Sequence, residues 1–256
     1  MIFLNERRFR SYKTDALIIG QRKFGDYDKI LTILSKDYGK VQIIAKGVLK
    51  PTSPLVYHVD LLNFTNLMIS KGKNLDILIQ AQTINSFESI RNDYDKLSKS
   101  FYMLEIIDKF IIISDSISEI FDITLTCFSR INDGHDIDLN VQIFELSILK
   151  FAGVLPEFNN CLHCLKKVLA KNAVINFNVG GILCSNCSDN FSDNINVSEN
   201  CIKVIRAMLF TSYEIISRIK INKKINIEID SILTKFILIN ANSSFKSQKM
   251  FDHLSN

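Results

Sequence analysis

The sequence predicts an α+β chain in which a small closed β-barrel is followed by helices, with a four-cysteine insertion among the helices. Three observations predict it. Short apolar runs separated by turn-forming pieces fill residues 13–85, apolar stripes at helical spacing dominate after Phe87, and two Cys-x-x-Cys pairs, Cys161/Cys164 and Cys184/Cys187, stand nineteen residues apart. At 256 residues, 47% of them hydrophobic and 23% charged, the chain is long enough for one large domain or two to three small ones with their own cores.

The barrel comes from five runs, "TDALIIG", "KILTILS", "KVQIIAKG", "LLNFTNLMIS" and "LDILIQAQTI", broken by "KFGDYD", "KDYGK" and "SKGKN". Glycines at Gly20, Gly25, Gly39, Gly47 and Gly72 supply places for bulges and tight turns. Strands this dense suggest a closed sheet, and the OB-fold is the commonest five-stranded choice.

After Phe87 the period changes. Leu97, Phe101, Leu104, Ile107 and Ile111 form one helical stripe; Ile117, Ile120, Phe121, Leu125, Phe128 and Ile131 a second; Val141, Phe144, Ile148 and Phe151 a third. Helices are expected again at about 198–219 and 228–240, the latter with Ile232, Phe236 and Ile239 on one face. The stripes read as core, and the polar tail beyond Ser243 as frayed.

The four paired cysteines have the spacing of a four-thiolate zinc site. Each Cys-x-x-Cys turn can aim two thiolates at one centre about 2.3 Å away, and two such knuckles complete a tetrahedron. Gly180 and Gly181 lie just ahead of the second pair, where a tight turn must return that knuckle over the first, and "AVINFNVGGILC" reads as a hairpin closing a zinc ribbon. Disulfides are disfavoured in a cytoplasmic chain, and redox Cys-x-x-Cys motifs normally stand alone at a helix start. An iron–sulfur cluster is the less common occupant at this spacing. With four protein ligands there is no open position for water or substrate, so the expected Zn2+, one per chain, is structural. His163 is a spare ligand type inside the first knuckle and is expected in an exposed loop; Cys127 and Cys201 read as small core residues.

Charge is unevenly spread. Residues 1–87 carry 13 Lys/Arg against 7 Asp/Glu, residues 88–150 carry 6 against 12, and residues 151–256 carry 12 against 8. Basic ends suit a polyanion, although a merely solvated lysine face has the same signature. No phosphate-binding Gly-rich loop, nucleophile elbow or His-Glu-x-x-His motif occurs, and the four histidines share no ligand spacing, which favours a binding protein over an enzyme. The greasiest stretch, "FYMLEIIDKFIII", carries Glu105, Asp108 and Lys109, too many charges for a membrane span. "MIFLNERRFR" does not read as an export signal, so a cytoplasmic protein is expected.

In order along the chain, "TDALIIGQRKFGDYDKILTILSKDYGKVQIIAKGV", "YMLEIIDKF", "FELSILKFAGVLPEFNNCLHC" and "GGILCSNC" resemble the bacterial recombination mediator family RecO. The resemblance implies an OB-fold, a helical domain and a zinc ribbon. Charge, periodicity and the cysteine spacing independently set the expected segments in the same layout, at 1–87 for the barrel, 88–158 for the first helical part, 159–192 for the ribbon and 193–256 for the last helical part. The resemblance further implies nucleoid-associated work: binding single- and double-stranded DNA, annealing strands, and acting with RecR to help RecA displace single-stranded DNA-binding protein. Such work needs a basic groove with stacking residues. The candidates on the barrel are Arg22, Lys23, Lys29, Lys40, Lys46 and Lys50, with Phe24 and Tyr27 either stacking on bases or plugging the barrel.

One departure stands out. Where the family often carries a basic run after "AKG", this chain has "VLKPTSPLVYHV" with Lys50 as its one charge, so contacts could shift to Arg7, Arg8, Arg10 and the C-terminal cations. Lys166, Lys167 and Lys171 are the reserve. Lys203 and Arg206 are expected at the rim of a pocket for the acidic, apolar tail of single-stranded DNA-binding protein; binding DNA or solvating their helix is the competing role. Two other readings stay open: an RNA-binding zinc-ribbon/OB-fold protein, and an oxidoreductase using the thiols.

Overall fold

The computed structural model describes residues 11–112 and 117–241, and the chain forms two compact units, Met1–Leu125 and Thr126–Asn256. Arg7, Arg8, Arg10 and the tail beyond Ser243 lie outside the described residues.

In the first unit the five predicted strands form β1 (Ser11–Phe24), β2 (Asp28–Ser35), β3 (Gly39–Ala45), β4 (Phe64–Ser70) and β5 (Asp76–Asn85). They close an OB-like barrel in the order β1-β2-β3-β5-β4. Closure works because β1 pairs on both edges: residues 11–17 run antiparallel to β4, and residues 16–24 antiparallel to β2. The register with β2 shifts between Ile18 and Gly20, and on the β4 side Ile18 exchanges backbone bonds with Leu62 and Asn63, both 3.0 Å. Gly20 fits because a Cβ there would stand 3.2 Å from that of Thr32.

Ala16, Ile18, Leu31, Ile33, Leu67 and Ile69 fill the barrel, joined by Val48 and Val59 from the β3–β4 connection. Leu17 and Leu34, opposite each other across β1 and β2, are also buried, so this part of the sheet is covered on both faces and reads as a continuous apolar run rather than an alternation. After the short α1 (Glu88–Arg91), α2 (Tyr94–Phe110) starts at Asp93, whose carboxylate accepts the Lys96 N–H at 3.1 Å, and packs against β1. Its far end is closed from β3: the Lys40 ammonium donates to the Asp108 and Ile111 carbonyls and pairs with the Asp108 carboxylate at 2.7 Å. A cation there satisfies carbonyls that the helix leaves open and faces the negative end of its dipole.

The unit boundary falls inside α3 (Ser118–Asn132). In the second unit α4 (Ile137–Phe151), capped by Asp136, packs with α6 (Glu199–Phe210) and α8 (Lys223–Ala241). The predicted ribbon lies between α4 and α6 in the chain. It contains β6 (Ala173–Asn176), β7 (Gly181–Cys184), the single turn α5 (Ser185–Ser188) and β8 (Asn194–Asn196), with sheet order β7-β6-β8. Among the described residues no helix is long and apolar enough to cross a membrane.

Two helical expectations are corrected. The helix expected over 198–219 ends at Phe210, and a separate turn, α7 (Tyr213–Ile216), follows, because Thr211 and Ser212 adopt extended backbone. On α8 the buried stripe is Ile229, Ile232, Leu233, Phe236 and Ile237, and Ile239 lies roughly 90° off its centre, 45% exposed.

Replacing Lys40 by Met keeps the apolar stem and removes the cation that closes α2. The expected loss is about 2 kcal/mol of stability, from orphaned carbonyls and a lost dipole partner. Urea unfolding followed by circular dichroism measures it, and an unchanged midpoint contradicts the capping role.

Candidate metal centre and nucleic-acid interface

The Sγ atoms of Cys161, Cys164, Cys184 and Cys187 all lie within 4.8 Å of one another, with Cys164 and Cys184 at 3.9 Å. Thiolates about 2.3 Å from a tetrahedral ion are about 3.8 Å apart, and a disulfide would need about 2.05 Å, so the set fits a metal and not a bridge.

The backbone converges on this point for identifiable reasons. Cys161 N–H donates to the Lys166 carbonyl and Leu165 N–H to the Cys161 carbonyl, both 2.8 Å, closing the first knuckle. The turn puts Leu165 in the left-handed region, φ 61°, a conformation a bulky residue holds only under constraint. The second knuckle ends the β6–β7 hairpin, with Cys184 opposite Ala173. Gly180 has φ 91°, and a Cβ on Gly181 would come 2.5 Å from the Glu157 carbonyl oxygen. That close approach lets Glu157 bond to both Gly180 and Ile182 and brings the segment leading to Cys161 alongside β7.

The thiols are not equivalent. Burial opposes ionisation of Cys161, but hydrogen bonds from the Cys164, Cys184 and His163 backbone outweigh it and hold its pKa down at about 6. Its bond to the Cys184 thiol, then burial and the other sulfurs, push Cys187 up to about 12. Of these two, Cys161 is the readier to ionise for a metal, and binding must displace the proton that Cys187 holds. His163 is exposed and packs edge-on against Phe191 at 5.6 Å. Cys127 and Cys201 are fully buried, and burial raises both to about 12, as inert core thiols.

The ribbon is fixed to its own unit by Arg206, which donates from Nε to the Phe158 carbonyl at 2.7 Å and from an Nη to that of Val168 at 2.9 Å. Phe236 of α8 adds ring contacts to Phe158 and Phe177, at 6.3 and 4.7 Å. Arg206 is thus committed within the protein; Lys203 is exposed and pairs with Glu199 at 2.7 Å. Lys166, Lys167 and Lys171 are exposed on the ribbon.

On the barrel the candidates separate. Lys40 is buried under α2, whereas Arg22, Lys23, Lys46 and Lys50 are exposed and Lys29 is half-buried, donating to Gln21 Oε1 at 2.6 Å. Phe24 and Tyr27 are 47% and 51% exposed, so neither plugs the barrel. The β1–β2 hairpin tip is tied to the turn after β3: Gly47 N–H donates to Asp28 Oδ1 at 2.7 Å, Leu49 N–H to the Tyr27 carbonyl at 2.9 Å, and Lys50 Nζ stands 5.9 Å from the Tyr27 ring centre. Lys23 and Lys29 are cross-strand partners, a like-charge pair that costs stability without an anion to relieve it.

Lys13, Asn66, Gln80 and Gln82 were not singled out from the sequence. With Lys46 and Lys50 they line a groove of about 760 Å³. Their signal is the outward half of the β1, β4 and β5 alternation, which could have been read once the barrel was assumed.

Two family models match the chain in succession. A family model described as Recombination protein O N terminal matches residues 9–87, and one described as Recombination protein O C terminal matches residues 91–249. A DNA repair protein RecO from Dehalococcoides mccartyi is 33% identical over 238 residues, 93% of this chain and 91% of that protein. Proteins of the same name from Desulforamulus reducens, 26% identical over 95% and 94% of the two chains, and a Thermoanaerobacter species, 28% over 96% and 99%, are similarly related.

The metal centre gives a direct check. Co2+ added to protein stripped of metal is expected to give thiolate charge-transfer absorption, with affinity rising with pH because ligand protons must leave. Cys161→Ser or Cys184→Ser should weaken that binding and loosen the ribbon. Full-strength binding by both variants contradicts the assignment.

Proposed function

Since the chain belongs to the RecO family, whose role lies in DNA repair and recombination, we propose that it is a recombination mediator that binds and anneals single-stranded DNA. With RecR it promotes RecA loading onto DNA coated by single-stranded DNA-binding protein, as a cytoplasmic, nucleoid-associated binding protein without catalytic turnover. One observation in the structure supports this most: the turn after β3 and the β1–β2 tip are bonded into one rim carrying Lys23, Lys46 and Lys50 with exposed Phe24 and Tyr27. Cations beside open aromatic rings are the combination that holds a phosphate chain and its unstacked bases together.

In this reading one Zn2+ occupies the four-thiol centre and is structural. The working segments are 1–87 for DNA, 159–192 for the ribbon, and 88–158 with 193–256 for the helical part. Lys203, whose ammonium is exposed, is the cation offered to the acidic tail of single-stranded DNA-binding protein, and Arg206 contributes by holding α6 to the ribbon. Double-stranded DNA uses the same phosphate contacts.

Charge reversal of Lys23, Lys46 and Lys50 together to Glu tests the reading. Single-stranded DNA binding should weaken across all sequences, and the slope of log affinity against log salt should fall by about 2, because each lost phosphate contact removes about 0.7. A triple variant with the original slope places the DNA elsewhere.

A further inference from the structure

Between Lys50 and Asp60 the chain travels in a series of turns, and its segment Pro54–His58 borders two depressions on the first unit. Leu55 and His58 face the groove of about 760 Å³ that holds Lys13, Lys46 and Lys50. Val56 and Tyr57 face a smaller one, about 390 Å³, that holds Lys29 and Arg91. Among the described residues the larger groove has no acid in its lining. The smaller has Asp60, which is already paired with Arg91 at 3.3 Å and accepts from Gln21 at 3.2 Å.

On this dividing segment Tyr57 is 83% exposed, more than any other large apolar or aromatic side chain described. Its backbone is nevertheless held. Asn63 Nδ2 donates to the Tyr57 carbonyl at 2.8 Å, Arg91 holds Asn63 Oδ1 at 2.8 Å, and His58 N–H donates to Leu55 O at 3.0 Å. An aromatic ring carried into water on a fixed backbone loses little further entropy when it stacks on a planar partner.

We infer that a single strand of DNA crosses the first unit over the Lys50–Asp60 connection, with a base stacked on Tyr57. Its phosphates fall to Lys46 and Lys50 on one side and to Lys29 on the other. This rests on the DNA-binding reading above and extends it, because it assigns base contact to an element from which the family's basic run is missing. The connection holds the strand by an aromatic platform between cations on flanking elements, so it needs no run of lysines of its own.

The chain contains no tryptophan, so Tyr57→Trp introduces a single indole emitter. Titration with oligothymidylate should quench its emission, while an abasic sugar–phosphate strand of equal length, which keeps the phosphates, should bind without quenching. Tyr57→Ala should weaken oligothymidylate binding about tenfold with an unchanged salt slope, and Tyr57→Phe should restore it. If the wild-type protein binds but the indole is not quenched, or Tyr57→Ala binds like wild type, the inference is overturned and the rim reading stands. If the wild-type protein binds no single-stranded DNA, both fall.

Discussion

The first unit depends on β1 pairing along both of its edges. Residues 11–17 give one edge to β4 and residues 16–24 give the other to β2, and the two pairings overlap only at Ala16 and Leu17. The first half of β1 therefore joins β4 to β2, and the second half leaves β4 behind and forms an edge of the β1-β2-β3 sheet, ending in the hairpin tip. Residues 16–19 are buried on both faces, and toward the hairpin tip Arg22, Lys23 and Phe24 are all exposed. The bonds from Gly47 and Leu49 to Asp28 and Tyr27 tie that tip to the turn after β3, and in doing so bring Lys46 and Lys50 beside it.

The second unit is organised by a different constraint, the convergence of four sulfurs. Gly180 and Gly181 allow the hairpin to turn and Glu157 to approach, and the knuckle accepts a left-handed Leu165. Arg206 and Phe236 then join the ribbon to α6 and α8. A metal held by all four thiols would leave no open position for substrate.

Much of this was legible in the sequence, and what was not shares a cause. Strand alternation, helical stripes and the cysteine spacing are local patterns, and the five strands, the β6–β7 hairpin and the thiol cluster appear where those patterns predict them. Lys40 looks like any strand-end lysine, and its burial is decided by Asp108 and Ile111, some seventy residues later. Arg206 is likewise claimed by Phe158 and Val168. The extreme exposure of Tyr57 could not be read from "PLVYHV", because apolar residues in a loop are as often buried there as Val59 is. β8 is three residues long with one apolar side chain, too little for a periodic signal.

If the hairpin tip's tie to the turn is what makes the barrel a nucleic-acid surface, its effect can be separated from charge at Asp28. Asp28→Asn removes a negative charge but keeps an oxygen to accept the Gly47 N–H; Asp28→Ala removes both. Simple electrostatics makes either variant bind single-stranded DNA at least as tightly as wild type. The account predicts that Asp28→Asn does so while Asp28→Ala, still folded, binds several-fold more weakly. Equal affinities for the two variants would contradict it.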